Sequence, residues 1–456
     1  MPPFFDLKKE IEIIPNHSYS VLIFVEESFE TLTAKFFIFL LTPLCSIVII
    51  LPEQAIETET HSHKGCGQMK HLLSYLFFSL FLISFYVDAK EATTNVKSEV
   101  VKTYARLVYL NYVDAYQQAI QLNWAIDDFL SNPNEVNFDK AKSVWLESRK
   151  SYGTSEAFRF YEGPIDYFDT QTQTEGPEAR INSWPLNEAY IDYVTGQEKS
   201  GLINDLTFQI NTISLDEKNQ KSDEADVSTG YHSIEFLLWG QDLSLDSPGQ
   251  RTISDYQPGG QINERRRNYL RIVTSQLVDD LRFLVDSWQP NRTENYASQF
   301  LQLDPDLALE KILTGIATLS GFELAAERMA VPLDSGDQED EHSCFSDNTH
   351  NDFIYNLEGI ENVYLGRYAD FQGVGLKELI ENANPDLNSE FLQILDQSKK
   401  QIDDIPAPID REVLSTPINS IGRKKMEAAI VSLQRQSELL KQVGQALSLK
   451  VSIQTE

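Results

Sequence analysis

From Val101 the apolar residues step by four and three: Val101, Ala105, Val108, Tyr112, Ala115, Ala119, Leu122, Ile126 and Phe129. Nine positions in one register mark one face of a long amphipathic helix. The pattern stops at "SNPNEVN", where Asn132-Pro133 breaks it. A second helix reads from Phe138 to Phe160, with Ala141, Val144, Trp145, Tyr152 and Phe158 as its buried positions. Others read over residues 263–288, 307–329, 387–403 and 419–449, the last carrying Met426, Leu433, Leu440, Val443 and Leu447 at helical spacing. Strand signals are few. The expected fold class is therefore all-α, built as two related helical bundles.

The boundary between them is placed in the Gly/Pro/Ser-rich stretch "DLSLDSPGQRTISDYQPGGQ", giving bundles over residues 90–250 and 251–456. Each half carries a helix with a Glu and an Arg near its end, Glu156/Arg159 and Glu323/Arg328. Each is followed by Pro-x-Asp, Pro164/Asp166 and Pro332/Asp334. This is a short hint of internal duplication. The segment from Tyr161 to Tyr193, punctuated by Gly-Pro pairs and Pro185, reads as a long ordered loop rich in aromatics.

Ahead of the bundles lie two apolar runs. "FFIFLLTPLCSIVII" is short for a membrane span and contains Pro43. "MKHLLSYLFFSLFLISFYVDA" has the layout of a secretory signal peptide: Lys70, an apolar stretch from Leu72 to Val87, then a small residue at Ala89. The expectation is that Met69 is the initiator, that 1–68 is an upstream extension, and that 69–89 is removed. The chain has 456 residues and a formal net charge of −31. Such acidity argues against nucleic-acid phosphate and anionic membrane surfaces as partners and is compatible with cations. Three cysteines, Cys45, Cys66 and Cys344, build neither a disulfide framework nor a Cys-type metal site.

Beyond residue 89 only three histidines remain, His232, His342 and His350. The first sits in "GYHSIEFLLWG", three residues before Glu235. On a helix that spacing places both on one face, within reach of one cation or of each other. Ile234, Phe236, Leu237 and Leu238 make the surroundings core-like, where a carboxylate has to be paired or neutralised. Ser228 or Thr229 is the expected helix cap. No His-Glu-x-x-His or His-x-x-Glu-His occurs, nor a nucleophile elbow or phosphate loop. The other two histidines fall in "DQEDEHSCFSDNTHND", residues 337–352, with six acids. Folded over the His232 helix, this segment could complete a site with nitrogen and oxygen ligands. "GFELAAERM", residues 321–329, offers Glu323 and Arg328 nearby.

The motif "GYHSIEFLLWGQD" resembles the Gly-x-His-x-x-Glu signature of the imelysin family. "YGTSEAFRFYEGPID", "INSWPLNEAYIDYV", "LSGFELAAERM" and "QEDEHSCFSDNTHNDF" are similar to segments of that family in the same order, most clearly to its iron-regulated protein A-like branch. The resemblance covers about 100–449. It implies an exported protein of the periplasm or outer membrane of a Gram-negative-type bacterium, of two related bundles, with a site at their interface linked to iron uptake. It also implies membership of a group called peptidases. The candidate metal ligands are His232, Glu235, Glu323, Asp340, His342 and His350. Glu156, Arg159, Asp166, Arg328 and Asp347 would line the site. Iron is the expected ion, with copper or zinc as alternatives, and other iron-uptake components of the cell envelope are expected partners. A metallopeptidase would use Glu235 as general base on a metal-bound water. A non-catalytic binder of peptide, haem or glycan would use the aromatic loop.

Overall fold

The computed structural model describes residues 13–16, 19–27, 34–41, 46–50 and 65–453, with side chains from 95 to 453. The chain divides into two compact units, Met1–Asp88 and Ala89–Glu456. In the first, strands β1 (Ile13–Asn16), β2 (Tyr19–Glu27), β3 (Ala34–Leu41) and β4 (Ser46–Ile50) form an antiparallel sheet in chain order. The apolar run 36–50 thus lies largely in β3 and β4. Among the described residues no helix is long and apolar enough to cross a membrane.

The second unit is built of helices. The principal ones are α1 (Gly65–Ser131), of which the part from Ala89 onward falls in this unit, α2 (Glu135–Ser155), α3 (Gly230–Trp239), α4 (Gln261–Trp288), α5 (Pro305–Thr318), α6 (Thr349–Leu365), α7 (Pro385–Asp403) and α8 (Ile421–Ala446). Strand pairing here amounts to two-residue hairpins at 168–175 and 367–372 and one isolated bridge, Val194 to Gln197, among the described residues. The nine α1 positions that repeat in the sequence are all buried, which explains the helix: its stripe is the seam along which the neighbours pack. Asn134 caps α2, its side chain accepting from the Asn137 amide. Met426, Leu433, Leu440, Val443 and Leu447 of the α8 region are likewise buried.

Two local departures from sequence expectation position the site. The helix read over 307–329 changes winding at Thr318 and continues as a π-wound segment, Leu319–Ala330. In that winding residues five apart stack, and Glu323 and Arg328, five apart, form an ion pair of 2.8 Å. The second departure is the start of α3. Thr229 occupies the cap position but makes no side-chain cap, and the Ser228 hydroxyl donates to the Leu215 carbonyl. The helix is instead turned by Gly230, at φ +85, where a Cβ would lie 2.5 Å from the Ile181 carbonyl oxygen.

Candidate metal centre

α3 is buried throughout, so the polar side chains it carries must find partners inside. His232 is 2% exposed and Glu235 is fully buried. His232 Nδ1 lies 2.9 Å from Glu235 Oε2. The other carboxylate oxygen, Oε1, accepts from the Ser346 amide at 3.0 Å and its hydroxyl at 2.6 Å. Burial raises the Glu235 carboxyl to about 8, against the pull of these Ser346 bonds. The imidazole is held well below its usual range by burial and by His342 and Arg149 beside it. His232 Nε2 is buried and has no hydrogen-bond partner.

The His342 ring stands edge-on to His232, 4.8 Å between centroids and 61° between planes. Trp184 meets the same ring at 4.5 Å. The tautomer of His342 follows from its neighbours. Arg149 Nη1 donates to Asn182 Oδ1 at 2.6 Å, which fixes the Asn182 amide so that its Nδ2 faces His342 Nε2 at 3.2 Å. Nε2 therefore accepts, and Nδ1–H donates to Asp352 Oδ2 at 3.2 Å. Asp352 also accepts from the Ser343 hydroxyl and, through Oδ1, from Arg149 at 3.1 and 3.2 Å. Burial and the guanidiniums of Arg328 and Arg149 keep His342 uncharged.

A buried ion network adjoins this pair of rings. Arg328 Nη2 bridges Glu156 Oε2 at 2.7 Å and Glu323 Oε1 at 2.8 Å, and Nη1 donates to Asn356. Arg159 pairs with Glu156 at 2.7 Å, Glu178 at 3.1 Å and Glu323 at 3.6 Å. Burial opposes the ionisation of Glu156, yet Arg159 and Arg328 hold it down to about 2. Asn182 Nδ2 reaches Glu156 Oε1 at 3.4 Å, linking the network to His342. The Glu/Arg pairs at 156/159 and 323/328 thus meet in one cluster.

The donor set decides what these residues could hold. With Oε1 taken by Ser346, the proton that Glu235 holds below about pH 8 lies on Oε2 and donates to His232 Nδ1; once Glu235 ionises, Nδ1–H donates to the carboxylate and Nε2 becomes an oriented nitrogen donor, the arrangement found behind metal-bound histidines. Glu235 orients that ring, and both its oxygens are engaged, which leaves none to bind the ion directly or to act as a general base in this geometry. His342 Nε2 becomes a second nitrogen only if the Asn182 amide gives way. Glu323 is committed to Arg328 and Arg159. His350 is placed elsewhere: it lies at the start of α6 and its Nε2 donates to the Ile402 carbonyl at 2.8 Å. Asp340 is part-exposed and accepts from the Ser335 hydroxyl at 2.6 Å. Asp166 binds backbone amides, Phe160 and Gly163, within its own turn. Turn geometry and helix packing engage these three candidate ligand or lining residues locally.

Among the described residues, three acidic or histidine side chains converge closely at one place, Asp242, Asp347 and Asp410, whose ligand atoms lie within 4.8 Å of one another. Asp347 was expected to line the site; Asp242 and Asp410 were not foreseen. Arg149, Asn182, Ser346 and Asp352, which hydrogen-bond to Glu235, to His342 or to one another, are not among the sequence candidates, although Asn182, Ser346 and Asp352 lie inside the blocks that carry the family resemblance.

The imelysin family model matches residues 108–440, which includes both histidine segments and the ion network. The chain belongs to the imelysin family. It is 24% identical over 338 residues to iron-regulated protein A of Synechococcus elongatus, covering 72% of this chain and 81% of that one. The fold is shared with an iron-regulated protein A precursor from Parabacteroides distasonis, at a TM-score of 0.61 and 18% identity, over 77% of this chain and 95% of that one. An imelysin-like protein from Psychrobacter arcticum aligns at a TM-score of 0.55 and 13% identity, over 79% and 98%.

Proposed function

We propose that this imelysin-family chain is an exported metal-binding protein of iron acquisition, and that His232 is the residue that holds the ion. The reading includes a signal peptide over 69–89, a mature chain starting near Lys90, and bundles meeting at residue 250. The compact unit that begins at Ala89 supports the first two. Iron is the favoured ion, and the iron-regulated name of the Synechococcus relative is compatible with it. Copper and zinc, which also take imidazole, compete.

One observation carries the proposal. His232 Nε2 is buried and unpartnered while its Nδ1 is fixed by Glu235. A buried polar atom without a partner costs about 1–3 kcal/mol, a cost that a ligand at Nε2 would remove. His342 is the neighbouring imidazole. Glu235 and Ser346 set the orientation of the first ring, and Asn182 and Asp352 that of the second. The bound ion would supply Lewis acidity, and a peptidase would need a free carboxylate beside it. The engagement of both Glu235 oxygens disfavours that role.

The test is titration of metal-free protein with Fe²⁺, Cu²⁺ and Zn²⁺ by calorimetry, with His232→Ala as control. Tight binding lost in the variant is the expected result. Binding no tighter than about millimolar, or unchanged in His232→Ala, overturns the reading. A chelator-sensitive protease activity abolished by Glu235→Gln would favour the peptidase instead.

A further inference from the structure

We propose that Asp242, Asp347 and Asp410 form an oxygen-donor site for a hard divalent cation of the calcium class, which ties the end of α3 to the loop carrying His342 and Ser346. This site is separate from the nitrogen donor of His232 and does not depend on it. The three carboxylates come from distant parts of the sequence. Asp242 follows α3, Asp347 sits in the acidic loop, and Asp410 opens a short π-wound turn, Asp410–Leu414. Their ligand atoms nevertheless lie within 4.8 Å of one another. Calcium takes oxygens at roughly 2.3–2.6 Å, so a shared ion could reach all three.

Proximity of acids is common at surfaces, but here two of the three, Asp242 and Asp410, are buried, Asp347 is half-buried, and the cluster is under-supplied with donors. Asp410 is 3% exposed and neither of its carboxylate oxygens has a hydrogen-bond partner. Asp242, also 3% exposed, accepts from the Ser244 amide at 3.0 Å. Burial and the neighbouring acids raise Asp242 to about 6 and Asp347 to about 7. Glu341, 4% exposed and close enough to feel all three charges, leaves its own Oε1 unpartnered. The nearby base is Arg411, which faces Asp347 and Asp410 but makes its ion pairs with Glu412 at 2.9 Å and Asp246 at 3.8 Å. Buried carboxylates in this state must hold protons or a cation. All the donors are oxygens, which selects calcium-like ions over those preferring imidazole or thiolate. Asp347 adjoins Ser346, which binds Glu235, and the Phe345 carbonyl accepts from the Gly249 amide at 2.9 Å. An ion here would therefore fasten the loop that faces His232.

The experiment adds CaCl2 alone to the EDTA-treated full chain, read by calorimetry and thermal melting at pH 7.5. Calcium is expected to raise the melting temperature and to bind with a Kd of roughly 0.1–1 mM. Magnesium is expected to bind at least about tenfold more weakly, since it demands a tighter octahedron. Asp410→Asn and Asp347→Asn should each weaken calcium binding by about tenfold or more with helical circular dichroism retained. If Asp410→Asn does not fold, the less buried Asp347 carries the test. His232→Ala should bind calcium as wild type does, so failure here and failure of the iron reading are separable. No heat and no melting shift up to about 10 mM calcium, magnesium binding as tightly as calcium, or wild-type calcium affinity in a folded variant overturns the proposal.

Discussion

Glu235 holds His232 from behind: Oε2 lies 2.9 Å from Nδ1 while Ser346, from a segment 111 residues away, holds the other carboxylate oxygen. The two motif residues therefore act in series, with the carboxylate setting the ring and the ring presenting Nε2. The substitution Glu235→Gln tests this order. Ser346 donates twice to Oε1, so a glutamine would keep its oxygen there and turn its amide nitrogen toward Nδ1. The imidazole would then carry its proton on Nε2 and lose the lone pair, and whereas a bound cation can drive Glu235 to ionise and so return Nδ1–H, the glutamine has no proton to release. Metal affinity, measured by calorimetric titration, is expected to fall by about 10–100-fold with the fold intact. Undiminished affinity would show that Glu235 does not set the tautomer.

The raised pKa of Glu235 has a consequence for stability. Its carboxyl titrates at about 8 in the folded protein, against an ordinary value of 4.5. A raised folded value means that the stabilising contribution is complete below about pH 4.5 and is lost as pH rises through 8. Over that window the folded state holds a proton that the unfolded chain has released, so stability falls steadily with pH. Urea midpoints of the metal-free protein should therefore fall between pH 5 and 8. Part of that slope should vanish in Glu235→Gln, which is neutral throughout. Equal slopes in the two proteins would place the titration elsewhere.

Arg328 is the hinge of the buried ion network, fully buried between Glu156 and Glu323. Replacing it with methionine leaves three acids, Glu156, Glu178 and Glu323, facing one remaining guanidinium, Arg159. Breaking a buried pair from one side costs about 3–5 kcal/mol, and chemical denaturation should register a loss of that size. The double variant Arg328→Met/Glu323→Gln should recover part of it. A single variant as stable as wild type would mean that the network contributes little.

The parts of this molecule legible in the sequence are those governed by neighbours along one helix. The stripe from Val101 to Phe129 is buried as its spacing demands, and His232 and Glu235 meet because residues three apart share a face. Glu156/Arg159 and Glu323/Arg328 were visible as pairs, but their union in one cluster depends on the π-wound segment, which no periodicity signals. Arg149 and Asp352 are 203 residues apart and make one ion pair; nothing local in either segment points to the other. Asp347 stands out only through the acidic loop that carries it, and Asp242 and Asp410 each look like an ordinary solvated acid where they stand. Their convergence is a property of packing between three segments, which a linear reading cannot weigh.

The glycine that opens the motif can be tested in the same spirit. Gly230 holds φ +85 and passes so close to the 180–181 backbone that a Cβ would lie 2.5 Å from the Ile181 oxygen and 2.6 Å from the Arg180 oxygen. An alanine is strained there twice, by its dihedral and by the collision. Relief requires the 180–181 backbone to move, and the next residue is Asn182, whose amide supports His342. Gly230→Ala is therefore expected to lower stability by about 1–3 kcal/mol and also to weaken metal binding, although residue 230 touches neither histidine through a side chain. Denaturation midpoints and calorimetric titration on the same preparation separate the two effects. A variant that loses stability but binds metal with wild-type affinity would show that the position of Asn182 is not transmitted to the site.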